Sequence, residues 1–397
     1  MRRLLLPFAS LSTVLTAFTP IPAPDYAWLV NTTASFLRKC ELTGVGNVTL
    51  FTPDASSSYG AQWTRDFTMA LSSVPSLFRA LPINVSASVA YTLSRVEPSG
   101  RVPDRVQANG AAVFSPGSGG WPITLAWDNN AYAGLLLAAY AGAWSDAPFF
   151  CEWEPTAGRA LSLVPLVGGL AFNDPAAPNC SFGFEDSVVV PGRQLTVSLL
   201  LHDAATRLAA LAAATGCGDA GRYATLAAAV AASVDDLFDP ASGLFLASDT
   251  LETLPDVFGS AYLVALNLST PARRAAVGGF LAAQWRASGG SPATTVFQEG
   301  QVRHLPQPLL WKKCWRGCPS AGTYQNGAFW ATPLNWVLPA LELTGHGAEA
   351  QGVAEATLAS FRAGGVMECI NRDKDYAGVR DYVASAANVL GVVEVAA

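Results

Sequence analysis

Apolar residues that return every three or four positions constrain this chain more than anything else in it. Val197, Leu201, Ala204, Leu208 and Leu211 form one such series and Leu226, Val230, Val234 and Leu237 another, joined by the Gly- and Asp-containing turn around Gly216–Gly221. Each series lines one face of a helix with 3.6 residues per turn, so together they predict a helical hairpin. The same periodicity predicts helices at about 25–40, 64–81, 84–96, 128–145, 157–168, 257–268, 271–288, 327–345, 347–363 and 380–391, about twelve in all. No alternating β-branched run of useful length and no internal repeat accompanies them. The expected fold is therefore all-α, since a dozen helices in successive hairpins suit a closed (α/α)6 toroid of six inner and six outer helices. Length alone allows one or two domains, and the tandem helices favour a single domain over 24–397.

Composition narrows the function classes. Hydrophobic residues make up 51% and charged residues 14% of the 397, enough to bury a large core. A net charge of −6 without a basic stripe argues against nucleic acid or an anionic membrane as partner and favours a neutral substrate. The start, MRRLLLPFASLSTVLTAF followed by TPIPAP, reads as a signal peptide and Pro-rich leader over 1–23, with cleavage after Ala17 or Ala23; an uncleaved anchor is the alternative. N-x-Ser/Thr sequons at Asn31, Asn47, Asn84, Asn179 and Asn267 agree with a secreted or lumenal protein. The seven cysteines predict one to three disulfides and at least one free thiol, with Cys314 and Cys318 of CWRGC as the local pair. Zinc at that loop would need further ligands, and the three histidines, His202, His304 and His346, are scattered. Nothing in the sequence calls for a metal or an organic cofactor. The Ala-rich stretch 195–214 carries His202, Asp203 and Arg207, so it reads as a buried helix rather than a membrane span, and none is expected in the mature chain.

Two segments propose a ligand. From Gly322 to Leu341 a polar and aromatic cluster, Tyr324, Gln325, Asn326 and Trp330, runs into Leu334, Val337, Leu338 and Leu341 at helical spacing, which predicts the cluster at a helix N-terminus. QWTRDF, with Trp63, Arg65 and Asp66, repeats that chemistry at another helix start. Hydroxyls seek amides and carboxylates while sugar C–H faces seek aromatic rings, so the ligand expected here is a carbohydrate.

Taken in order, QWTRDF, VPDRV (102–106), WDNNAY (127–132), FGFEDSVVVPGR (182–193), GQVRHLP (300–306), CWRGCPSAGTYQNGAFW and GVMECI resemble the six-hairpin, (α/α)6-barrel glycosidase-like group over about 62–391. WTRDF and YQNGAFW have counterparts in glucoamylase-like, trehalase-like and neutral-invertase-like relatives. The resemblance implies hydrolysis of a glycosidic bond with inversion by two carboxyl groups roughly 6.5–9.5 Å apart. It puts the acid at Asp186, beside Glu185 and the phenylalanines Phe182 and Phe184, and the base at Glu368. The competing structural roles are helix capping for Glu185 and Asp186 and an ion pair with Arg372 or Arg380 for Glu368.

Arg65 and Asp66 offer a fork of donors and a pair of acceptors suited to adjacent hydroxyls of the terminal sugar, or else a helix cap with an ion pair. Asp104, Asp128 and Asn129 are second-tier binders whose dipeptides also suit turns. Arg303 and His304 are expected on the opposite wall, and Trp63, Trp121, Trp127, Trp315 and Trp330 are candidate stacking platforms, two or three of which should face ligand. Other functions stay open on this toroid. An epimerase would place two histidines across the substrate, a lyase is also compatible with the fold, and a non-catalytic carbohydrate-binding protein would lack one member of the acid/base pair.

Overall fold

The computed structural model describes residues 18–56, 58–117, 123–289, 294–373 and 378–396. Among them are thirteen α-helices: α1 (Ala23–Lys39), α2 (Thr64–Ser73), α3 (Pro75–Arg79), α4 (Val85–Leu93), α5 (Trp127–Trp144), α6 (Ala147–Leu163), α7 (Leu195–Thr215), α8 (Ala220–Ser233), α9 (Val257–Ala265), α10 (Pro271–Ala287), α11 (Leu334–Leu343), α12 (Gly347–Gly364) and α13 (Val383–Leu390). Helices α2, α5, α7, α9, α11 and α13 touch one another in that order, and α13 returns to α2, closing an inner ring. Outside it stand α1, α4, α6, α8, α10 and α12, while α3 is a short extension of the first hairpin. The fold is the all-α toroid of six hairpins that the periodicity predicts.

Burial explains the division of labour. All nine residues of α9 and all eight of α13 are buried, and α5 is buried almost without a break from Trp127 to Ala141. Helices apolar on every side can only be interior, whereas α8 and α10 bury one stripe each. Of the described helices α7 is long and apolar enough to cross a membrane, and here it packs between α5, α8 and α9. Disulfides join Cys151 to Cys217 and Cys314 to Cys318, leaving Cys40, Cys180 and Cys369 as buried thiols.

Because outer helices alternate with inner ones, the six inner helices run in one direction and their N-termini gather at one end. Each is preceded by a short β pairing. Ala61–Trp63 pairs with Arg105–Gln107, Gly192–Arg193 with Leu170–Asn173, and Pro255–Asp256 with Leu244–Leu246. Single bridges do the same before α5 (Ala126 with Cys180), α11 (Phe329 with Ile370, Trp330 with Val302) and α13 (Tyr382 with Asp54). At the rim Thr19–Ile21 runs parallel to Val393–Val395, with Ile21 fully buried.

Three expected helices are corrected, of which the one at 64–81 is broken at Val74, ahead of Pro75, into α2 and α3. The helix expected at 157–168 occupies Ala147–Leu163, capped by Asp146 at the Phe149 N–H (3.1 Å), and tolerates Pro155 within it. The helix expected from 327 starts at Leu334, so Tyr324, Gln325, Asn326 and Trp330 belong to a bridged loop ahead of it rather than to its first turn.

Candidate active site

A cavity of about 470 Å³ opens at the N-terminal end of the inner helices. Trp63, Arg65 and Asp66 enter it from the start of α2, Phe184 and Asp186 from the loop before α7, Tyr324 from the loop before α11, and Glu368 and Tyr382 from the segment before α13. Asp186 and Glu368, 6% exposed each, therefore reach one space from distant parts of the chain.

Each carboxyl has a specific neighbour. The Gln325 side-chain amide donates to Asp186 Oδ1 at 2.8 Å, and Gln325 Oε1 accepts from the Ser187 backbone N–H, also at 2.8 Å. The Tyr59 hydroxyl donates to Glu368 Oε2 at 3.1 Å, and the Tyr382 hydroxyl donates to Asp66 Oδ1. Burial pushes Asp186 above the usual carboxylate range, against the Gln325 hydrogen bond and the charge of Arg65. Burial likewise lifts Glu368 to about 8, against the Tyr59 hydrogen bond, and raises Asp66 against Arg65 and Tyr382. Burial thus favours the protonated form of each of the three carboxyls.

Beneath lies a buried ionic layer. The Arg65 guanidinium lies 3.5 Å from both Asp104 Oδ1 and Asp128 Oδ2 and donates to Asn129 Oδ1 at 3.3 Å, with its carbon 5.1 Å from the centre of the Phe184 ring. Asp128 also accepts the Gly183 N–H at 2.8 Å. Asp104 is shared with Arg105 at 3.0 Å, and burial raises it to about 7 against both arginines. A Cβ on Gly183 would fall 1.9 Å from the Arg65 guanidinium carbon, so glycine is what lets the 183–186 turn lie on that arginine.

No family model and no curated protein matches the sequence; solved structures do. The GH63 mannosylglycerate hydrolase of Thermus thermophilus, in complex with glucose, is similar with a TM-score of 0.62 at 14% identity over 93% of this chain and 99% of that one. The glucoamylase of Saccharomycopsis fibuligera gives 0.58 at 12% over 95% and 96%, and a rhamnosidase of Klebsiella oxytoca with rhamnose bound gives 0.62 at 14% over 96% and 65%. The chain has the six-hairpin glycosidase fold.

Within this six-hairpin glycosidase fold the expected site residues separate by where their side chains lie. Trp63, Arg65, Asp66, Asp186, Tyr324 and Glu368 line the cavity. Asp104, Asp128 and Asn129 lie one layer down, where they hold Arg65 rather than face the cavity; Arg65 itself is 2% exposed, with Nη1 making all three of these contacts. Gln325 positions Asp186. The rest are corrections. Trp127 is packed in the core with its indole N–H on Asn173 Oδ1 (3.2 Å), Trp330 packs against Phe184 and Tyr324, and Trp315 packs under Ile123 and Cys180. Asn326 braces its own loop through the Trp311 N–H and the Pro319 carbonyl, at 2.9 and 2.8 Å. Arg303 is buried and donates to the Leu309 carbonyl at 2.8 Å.

His304 does not reach the cavity either; it is clamped between Glu185 and Asp256, the latter at 2.9 Å. Burial lowers its pKa, but Asp256 and Glu185 outweigh that and hold it above the ordinary value; burial raises Glu185 to about 8 against the pull of His304. Glu185 is thereby occupied, leaving Asp186 as the acidic residue of that turn on the cavity. His202 contacts the Ala227 carbonyl at 2.9 Å, away from the cavity, so no pair of histidines faces it. Trp121 lies outside the described residues. Tyr59, Arg105 and Tyr382 also line the cavity and were not among the residues expected there. Tyr59 ends a loop whose Ser58 and Tyr59 N–H groups donate to the Asp54 carboxylate at 3.0 and 3.3 Å, and the serine-rich SSSYG was the only signal of it.

Proposed function

We propose that this protein is a secreted glycoside hydrolase acting on the terminal residue of a neutral glycoside or oligosaccharide, with inversion. The observation that carries it is the meeting of two buried carboxyls with raised pKa values, Asp186 and Glu368, on one cavity of about 470 Å³, a volume suited to a sugar-sized ligand. The (α/α)6 fold and its glycosidase neighbours support the same class.

Asp186, kept protonated by burial and oriented by Gln325, delivers its proton to the glycosidic oxygen as the bond to the anomeric carbon breaks. Glu368 as carboxylate takes a proton from water, whose oxygen attacks that carbon from the opposite face. Asp66 accepts from sugar hydroxyls with the oxygen not used by Tyr382. Trp63, Phe184 and Tyr324 offer ring surface to the C–H faces, and the Arg65 layer closes the floor, which favours a chain end over an internal residue. Glu368 holds its proton below a pH of about 8, so the carboxylate that serves as base forms as pH rises toward that value.

Passage through the secretory route is supported by the two disulfides and by the exposure of Asn31, Asn47, Asn84 and Asn267, with Asn179 half-buried. Cleavage after Ala17 keeps the Thr19–Ile21 strand, whereas cleavage after Ala23 removes it, so the leader ends at Ala17 in this proposal. On a substrate found by reducing-sugar release from a panel of glycosides, Asp186→Asn and Glu368→Gln should each lower kcat at least about 10²-fold. NMR of the first product should show the inverted anomer. Retained activity in either variant would remove that residue from its role, and sugar binding without hydrolysis of any glycoside would favour the non-catalytic alternative.

A further inference from the structure

The loop closed by the Cys314–Cys318 disulfide runs alongside the residues that follow Asp186. The Val189 N–H donates to the Lys313 carbonyl and the Trp315 N–H to the Ser187 carbonyl, each at 3.0 Å, and Val188 and Cys314 form an antiparallel bridge between them. Asn326 holds the other end of the loop, its side-chain amide donating to the carbonyl of Pro319, next to Cys318, at 2.8 Å. Asn326 follows Gln325, whose amide donates to Asp186 and whose Oε1 accepts the Ser187 N–H, both at 2.8 Å. The two partners of the Asp186–Gln325 hydrogen bond are therefore tied to opposite ends of one short loop, CWRGC, which turns through Gly317 at a φ of 89°.

The two disulfides restrict the chain differently. Cys151 and Cys217 are 66 residues apart and link α6 to the turn between α7 and α8, so their bond removes much of the freedom of a long unfolded stretch. Cys314 and Cys318 are 4 apart, and closing so short a loop takes little from the unfolded chain. The effect of the second bond falls on the folded loop instead, where it keeps the Ser187 attachment and the Pro319 attachment at a fixed spacing. Cys314 and Cys318 are half-buried beside the cluster of Val188, Val190 and Trp311, and neither lines the cavity.

We propose that Cys314 and Cys318 are positioning residues for Asp186: their disulfide holds the Gln325 turn against the segment after Asp186, so that the Gln325 amide stays on that carboxyl. The effect on rate rests on the hydrolase reading; the effect on Asp186 does not. The test compares full chains of the parent, Cys314→Ser/Cys318→Ser and the control Cys151→Ser/Cys217→Ser. Without substrate, the Val189 and Trp315 amides should exchange hydrogen about tenfold faster in the first variant and at the parental rate in the control. The Asp186 carboxyl, followed by 13C NMR and assigned by its loss in Asp186→Asn, should titrate about one unit higher in the first variant, since the Gln325 hydrogen bond lowers its pKa. On an identified glycoside the first variant should lose about tenfold in kcat with KM kept, because the orientation of the acid counts in the transition state. The control should keep its kcat and show the larger fall in Tm. Should the first variant fail to fold, the folded control is reduced with dithiothreitol, which passes two electrons and two protons to the remaining disulfide and becomes a disulfide itself; once mass analysis of alkylated protein verifies the two thiols, the same amide and carboxyl changes are expected. Parental exchange and titration would overturn the proposal, as would both changes with an unaltered kcat. Both changes in a protein that hydrolyses no glycoside would support the positioning of Asp186 and count against the hydrolase reading alone.

Discussion

Tyr59→Phe and Gln325→Leu should move different limbs of one pH profile, which assigns each limb to one of the two carboxyls. The Tyr59 hydroxyl lowers the Glu368 pKa and the Gln325 amide lowers that of Asp186; burial works against both. A hydrogen bond to a charged group contributes about 1.5–3 kcal/mol, and one pKa unit corresponds to about 1.36 kcal/mol, so deleting either donor raises its carboxyl by about one to two units. A base must be ionised and an acid protonated. Raising Glu368 therefore shifts upward the limb of kcat/KM near 8, and raising Asp186 shifts the other limb upward. The assay is kcat/KM against pH for the parent and both variants, with thermal melting alongside because Gln325→Leu also strips the Ser187 N–H of its acceptor. If both changes moved the same limb, the two limbs would not belong to Asp186 and Glu368 separately. If neither limb moved, these carboxyls would not be the groups that control the rate.

Three further outcomes are expected. Glu368 is raised from 4.5 to about 8 in the fold, so its contribution to stability is complete below the unfolded value and is lost as pH rises through about 8; Glu368→Gln should match the parent's Tm near pH 4 and exceed it by about a few degrees at pH 9, and a difference independent of pH would refute this. Gly183→Ala puts a methyl into the Arg65 guanidinium and should cost about 10²-fold in kcat/KM through misplacement of the 183–186 turn, with parental activity as the contrary result. Peptide N-glycosidase should lower the apparent mass of protein made in a eukaryotic host, and N-terminal sequencing should begin at Phe18; an unshifted band with an intact leader would refute export.

The hairpin order was legible because buried inner helices and striped outer ones leave periodic sequence. What was not legible has physical causes. The helix expected from 157 begins at Ala147, and α6 runs through Pro155, a residue ordinarily unfavourable inside a helix. The pairings ahead of the inner helices involve one to three residues, too few to show alternation. In the site, WTRDF was recognisable as a unit, but adjacent residues part company: Asp66 meets Tyr382 on the cavity while Arg65 sinks onto Asp104 and Asp128. Such depth is set by tertiary packing. The partners Tyr59 and Glu368 lie 309 residues apart, and no local spacing relates them.

The pairing of Thr19 with Val393 and of Ile21 with Val395 changes what kind of mechanical object the toroid is. In a linear helical array each repeat touches only its neighbours, so the array can fray from its terminal repeats and lose stability in increments. Here α13 meets both α2 and α1, and the two strands clasp beside them, so there is no end repeat to peel away. Losing either strand would remove the clasp beside the seam where α13 meets α2 and α1 and uncover the buried Ile21 or Val393. The natural unit of unfolding is therefore the whole ring, and a clipped chain should behave as an aggregation-prone species rather than as a smaller stable barrel.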